Sequence, residues 1–209
     1  MKVKICGVRT YEDARAALDA GAWALGFIFH RPAPRYIEPE AAARIVERLP
    51  RDALPIGVFV DYPLDELNAV VDTVGLRGAQ LHGAEDPPYA AKVEAEVVIK
   101  ALRVGLDFDP GRARDFPDQR ILLDTYHPQA QGGTGHTFDW SLARRVGELT
   151  PVILAGGIHP DNVVDALRQA QPDAIDVSTG VEKSPGVKDP VKITRLFAAI
   201  REYENRVVS

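Results

Sequence analysis

Lys2-Val3-Lys4-Ile5-Cys6-Gly7 is a short β-branched run that stops at a thiol and a glycine. It reads as a strand, Lys2–Ile5, ended by a turn. Thr10 then stands as the N-cap of a helix from Tyr11 to about Ala20, with Asp13 three residues on in the capping-box position. The same strand-then-helix unit recurs along the chain. Strands are expected at Ala24–Phe29, Ile56–Val60, Gly78–Leu81, Val97–Leu102, Ile121–Leu123, Val152–Leu154 and Ala174–Val177. Helices are expected from about Pro39 to Arg48, Pro63 to Thr73, Pro87 to Glu94, Asp139 to Leu149, Asp161 to Gln169, and Asp189-Pro190 to Asn205. Only Val104–Gln119, rich in Gly, Pro and Asp, departs from the pattern, so the helix between strands five and six is expected to be short or missing.

Eight strands, nearly all followed by a crossover helix, predict an α/β protein with a parallel sheet and helices outside it. Eight repeats favour closure into a (β/α)8 TIM barrel, in which the C-terminal ends of the strands carry the chemistry. An open doubly wound sheet is the alternative, weakened because no G-x-G-x-x-G turn follows the first strand. The 209 residues, 45% hydrophobic, contain enough apolar side chain for a full core, near the lower end of barrel length. No low-complexity linker divides them, so residues 1–209 read as one catalytic domain. A net charge of −5 argues against a nucleic-acid surface. No apolar run reaches membrane-spanning length, and Met1-Lys2 leads into a strand rather than a signal-peptide core. The single cysteine lacks a disulfide partner within the chain and fits a reducing, cytoplasmic compartment.

Polar residues crowd the strand ends: Cys6 the first, Asp61 the third, His82 the fourth, Asp124 the sixth, Gly156-Gly157 the seventh, and Asp176 with Ser178-Thr179-Gly180 the eighth. In a barrel these positions converge on one mouth. Cys6 is either a small buried hydrophobe or, as a thiolate, a base or nucleophile. Ala155-Gly156-Gly157-Ile158 and Ser178-Thr179-Gly180 expose backbone N–H groups after strands seven and eight, the usual phosphate cradle of such barrels. Asp124, ending an apolar strand, either pairs with a buried cation or acts as a general acid. Strand parity puts Lys4 with Cys6 on one face of strand one and Asp176 with Ser178 on one face of strand eight, neighbours in a closed barrel, so a Lys4–Asp176 pair below the site is expected to leave Asp124 freer to carry a proton. The run Gln129–His136, full of small residues, reads as a flap or a plain loop. In Arg31-Pro32-Ala33-Pro34-Arg35 the prolines stiffen the loop, and Arg35 more than Arg31 is placed to clamp a carboxylate. His82 has no second histidine at ligand spacing, which argues against zinc.

Taken together, the motifs resemble the phosphoribosylanthranilate isomerase family of tryptophan biosynthesis. The matches run in family order: Val3–Gly7, Ala24–Phe29, Pro34-Arg35-Tyr36, Gly57–Val60, Gln80-Leu81-His82-Gly83, Leu123-Asp124-Thr125, Gly132–Gly135, Leu154–Ile158, Asp176–Glu182 and Pro185–Asp189. Thr179 stands where the family commonly has serine, and the hydroxyl remains. The resemblance implies an Amadori rearrangement of N-(5-phosphoribosyl)anthranilate to 1-(o-carboxyphenylamino)-1-deoxyribulose 5-phosphate, with Asp124 as general acid and Cys6 as general base. It implies that Arg35 holds the anthranilate carboxylate and that Gly156, Gly157, Ser178, Thr179 and Gly180 hold the phosphate, with His82 and Asp176 in the same substrate-binding set. No metal or organic cofactor is implied. The expected partner is a phosphorylated aminosugar, with the chain a monomer or homodimer. The related histidine-pathway isomerase would call for a second glycine-rich cradle after strands three and four, where this chain has Val60-Asp61-Tyr62 and His82-Gly83.

Overall fold

A computed structural model describes residues 1–105, 107–124 and 140–208. Its centre is a closed parallel barrel in which β1 to β8 pair in sequence order and β8 returns to β1. The strands are β1 (Lys2–Cys6), β2 (Ala24–Ile28), β3 (Pro55–Phe59), β4 (Gly78–Leu81), β5 (Val97–Arg103), β6 (Arg120–Asp124), β7 (Val152–Ala155) and β8 (Ala174–Val177). Helices α1 (Tyr11–Ala20), α2 (Pro39–Val46), α3 (Leu64–Val74), α4 (Pro87–Ala90), α5 (Ser141–Gly147), α6 (Val163–Ala170) and α7 (Pro190–Val208) alternate with them. Between β5 and β6 the connection holds only a 3-10 helix, Pro110–Asp115, in agreement with its Gly, Pro and Asp content.

Period-two alternation sorts the side chains. Val3 and Ile5 of β1, Leu81 of β4, Ile121 and Leu123 of β6, and Ile175 and Val177 of β8 pack in the layer between barrel and helices. Burying each such side chain contributes about 1.5–3 kcal/mol. The inner filling is a smaller cluster that includes Ala24, Ile56, Ile99, Leu122, Ile153 and Ala174. One position further along several strands the inner face turns polar, with Lys4, Gln80 and Asp176 buried there. The barrel is therefore apolar below and polar at its upper end.

The local signals act as read. Thr10 Oγ1 accepts from the Asp13 N–H at 3.1 Å, and Gly21 ends α1 at φ +110°. The expected helix through Glu94 is the main departure, since α4 stops at Ala90. Asn68 of α3 accounts for this: its side chain donates to the Lys92 carbonyl at 3.3 Å and accepts from the Glu94 N–H at 3.0 Å. Those are the groups a further helical turn would use. A short hairpin after β8, β9 (Glu182–Ser184) with β10 (Val187–Lys188), has no counterpart in the sequence reading; Gly186 turns it at φ +76°. The expected flap Gln129–His136 and the start of the helix at Asp139 lie outside the described residues. Among the described residues, no helix is long and apolar enough to cross a membrane.

Candidate active site

Lys4 and Asp176 are register partners across the β1–β8 seam that closes the barrel. Lys4 Nζ lies 3.1 Å from both carboxylate oxygens of Asp176, fully buried, as strand parity predicted. Cys6, next on the same face of β1, sits beside this pair. Gly26 of β2 leaves the room they occupy, since a Cβ there would lie 2.8 Å from Cys6 Sγ and 3.0 Å from Lys4 Nζ. Burial pulls the Lys4 ammonium down, but Asp176 and the Cys6 sulfur beside it outweigh that and the balance is raised. Burial likewise pushes the Cys6 thiol up, and Lys4 partly offsets the push.

Across the mouth, Asp124 at the end of β6 is hydrogen-bonded to His82, a contact the sequence alone did not announce. His82 Nε2 stands 3.1 Å from its Oδ2, and both side chains keep about a quarter of their surface open. The other ring nitrogen, Nδ1, is 2.8 Å from Nε2 of Gln80. Gln80 and His82 share a face because they are two residues apart at the end of β4. Gln80 Oε1 is buried with no hydrogen-bond partner among the described residues, and so is Ser178 Oγ. Such an orphan acceptor costs about 1–3 kcal/mol.

A cavity of about 400 Å³ unites these groups: Cys6, Arg35, Gln80, His82, Asp124, Gly156, Gly157, Asp176, Ser178 and Thr179 all line it. Only two register pairs join β7 to β8, after which the chains part around the glycines. Gly156 and Gly157 have φ of +91° and +65°, the left-handed conformations that glycine adopts without strain. Gly180 stands behind this rim rather than on it, its Cα against the Ile158 carbonyl, where a Cβ would overlap. It ties the two rim loops together. A larger groove of about 540 Å³ beside α3 brings together none of these strand-end residues.

Asp61 does not join the site. Its Oδ1 accepts from the Ala84 N–H at 2.6 Å, and its own N–H donates to Glu85 at 2.9 Å. Glu85 in turn takes Lys100 Nζ at 2.7 Å in a buried ion pair. This cage, which the sequence reading missed, braces the turn that carries His82 and Gly83.

Arg35 reaches the cavity, yet it is already held. Its Nε and Nη2 each donate to Glu182 at 2.7 Å, and its stem packs over Gly7, where a Cβ would meet Arg35 Cδ at 2.7 Å. The fully buried Lys188 also donates to Glu182, at 3.0 Å. Burial works against the charge of Glu182, but Arg35 and Lys188 hold it below the usual carboxylate range. The signal for Glu182 and Lys188 was present as charges flanking Pro185-Gly186, a hairpin turn. Glu182→Gln leaves Lys188 buried without its counter-charge and is expected to cost about 3–5 kcal/mol of stability, read as a lower urea midpoint. At temperatures where the variant stays folded, KM is expected to rise more than kcat falls, because Arg35 loses its anchor. An unchanged midpoint and KM would remove Glu182 from this role.

A closed (β/α)8 barrel with a thiol, a carboxylate and an arginine around one mouth has the architecture of a barrel enzyme, with titratable side chains at its strand ends. The family description "N-(5'phosphoribosyl)anthranilate (PRA) isomerase" matches residues 3–199, and the chain belongs to this isomerase family. The N-(5'-phosphoribosyl)anthranilate isomerase of Citrifermentans bemidjiense is 48% identical over 201 residues, covering 96% of this chain and 97% of that protein. The solved phosphoribosyl anthranilate isomerase of Thermotoga maritima superposes with a TM-score of 0.90 at 40% identity, covering 97% and 99% of the two chains. Another solved isomerase of this name, bound to reduced 1-(o-carboxyphenylamino)-1-deoxyribulose 5-phosphate, gives a TM-score of 0.86 at 37% identity, with 97% and 99% covered.

Proposed function

We propose that the chain isomerises N-(5-phosphoribosyl)anthranilate to 1-(o-carboxyphenylamino)-1-deoxyribulose 5-phosphate in tryptophan biosynthesis, with Asp124 as general acid and Cys6 as general base. The single observation that carries this reading is that Cys6 and Asp124 line one cavity together with Arg35 and the glycine rim after β7 and β8. A sugar phosphate gripped at the rim would have its carbon skeleton between sulfur and carboxyl. Backbone amides of Gly156, Gly157, Ser178 and Thr179 are assigned to the phosphate, with Gly180 packed behind them to hold the two loops together, and Arg35 to the aromatic carboxylate.

Asp124 gives a proton to the ribose ring oxygen as the C1–O bond breaks, and the nitrogen lone pair forms an iminium at C1. The iminium makes the C2 hydrogen acidic. Burial raises the Cys6 thiol, and the positive charge arriving beside it favours loss of the thiol proton to solvent; the thiolate so formed removes the C2 hydrogen. The enolamine then gains a proton at C1 and loses the one on its C2 oxygen, giving the ketone; no atom is gained or lost overall. Lys4–Asp176 sits beneath, holding a cation beside the sulfur. The cytoplasm, where a lone thiol stays reduced, is the proposed location.

Mixing pure protein with phosphoribosylanthranilate and following loss of its fluorescence tests the reading directly. Turnover is expected, and expected at the same rate after treatment with EDTA. Absence of turnover would overturn the activity, and loss on chelation would overturn the metal-free mechanism.

A further inference from the structure

We infer that Gln80 is a positioning residue for proton transfer at Asp124, because its amide sets which ring nitrogen of His82 carries the proton. The inference rests on the reading of Asp124 as the acid. An amide nitrogen only donates, so Gln80 Nε2 at 2.8 Å from His82 Nδ1 requires that Nδ1 be the bare, accepting nitrogen. The ring proton then lies on Nε2, which donates to Asp124 Oδ2 at 3.1 Å. In this arrangement the pair holds Asp124 as a carboxylate, the form left after the acid has given up its proton.

The general acid must also exist protonated, and the same three side chains provide for that. Rotating the amide by a half-turn brings Oε1, buried and otherwise without a partner among the described residues, to face Nδ1. It would accept from Nδ1–H, leaving Nε2 bare to accept from the Asp124 carboxylic acid. Each setting completes an unbroken donor–acceptor chain from Gln80 through His82 to Asp124, and the two chains run in opposite directions. Gln80 is nearly fully buried, which limits the access of water to its amide. An apolar side chain of that size would fill the space without an orphan oxygen; what glutamine adds is a group that both donates and accepts from one position. An ionised glutamate could only accept there, and methionine does neither to any useful extent.

The test uses [15N]histidine-labelled full-length protein at mildly alkaline pH, with the His82 signal identified by its loss in His82→Asn. In the wild type His82 is expected to show a protonated Nε2 and a bare Nδ1. Gln80→Glu is expected to move a proton onto Nδ1, and Gln80→Met to give a mixture of the two tautomers. Both variants are expected to lose between about tenfold and 10²-fold in kcat with KM nearly unchanged, part of what a positioned acid supplies. Gln80 would be overturned as a positioning residue by a bare Nε2 or a doubly protonated ring in the wild type. Tautomers unmoved in the variants, or moved with kcat intact, would overturn it equally. If one variant fails to fold, the other, read beside the wild-type spectrum, still decides. Failure of the acid assignment is a separate result: it shows as full activity in Asp124→Asn, whatever the tautomer of His82.

Discussion

Cys6→Ala is expected to lower kcat by about 10²–10⁴-fold, the share a positioned base contributes to proton removal. The exchange deletes one sulfur from a packed niche over Gly26, so the fold should survive and the circular dichroism spectrum should match the wild type. The same thiol governs a pH effect. Burial pushes Cys6 above the ordinary thiol value, so in the free enzyme the thiolate is scarce at neutral pH and increases as pH rises. The ascending limb of kcat/KM against pH is therefore expected to follow Cys6, which places it above the usual thiol range. Lys4 pulls the thiol down, and Lys4→Met should shift that limb to still higher pH. That variant also strands Asp176, at a cost of about 3–5 kcal/mol, so it must be assayed below its lowered melting temperature. Full activity in Cys6→Ala would remove the base; a limb unmoved in Lys4→Met would remove Lys4 from its control.

Asp124→Asn is the second large effect. Asparagine keeps the size of aspartate, and its Oδ1 can still accept from His82 Nε2, so the geometry of the 3.1 Å contact is preserved. It has no acidic proton to give, and ring opening stalls. The expected loss in kcat is again about 10²–10⁴-fold with KM little changed. Steady-state turnover of phosphoribosylanthranilate measures it. A loss confined to KM would make Asp124 a binding group rather than the acid.

Much of the fold and part of the site could be read from the chain. Eight short runs, several of them apolar at consecutive positions and so in need of cover on both faces, leave few ways to bury them, and the crossover helices restrict those ways to a parallel, closed sheet. The strand-end address put Cys6, His82 and Asp124 on one mouth, and parity together with the expected closure of the barrel paired Lys4 with Asp176. Asp61 shared the address but turned away to the Ala84 amide, because a strand end says where a residue sits and not what it faces. Gln80 was named only inside the Gln80–Gly83 match and given no role, although it is two residues from His82 and thus on the same face.

The chain by itself determined the strands, their order around the barrel and the set of polar residues at its upper end, since those depend on local periodicity and on chirality. Closure decided the rest. Arg35 meets Glu182 across 147 residues and His82 meets Asp124 across 42. Hydrogen bonds demand distances good to a few tenths of an ångström, and only the packed barrel specifies those.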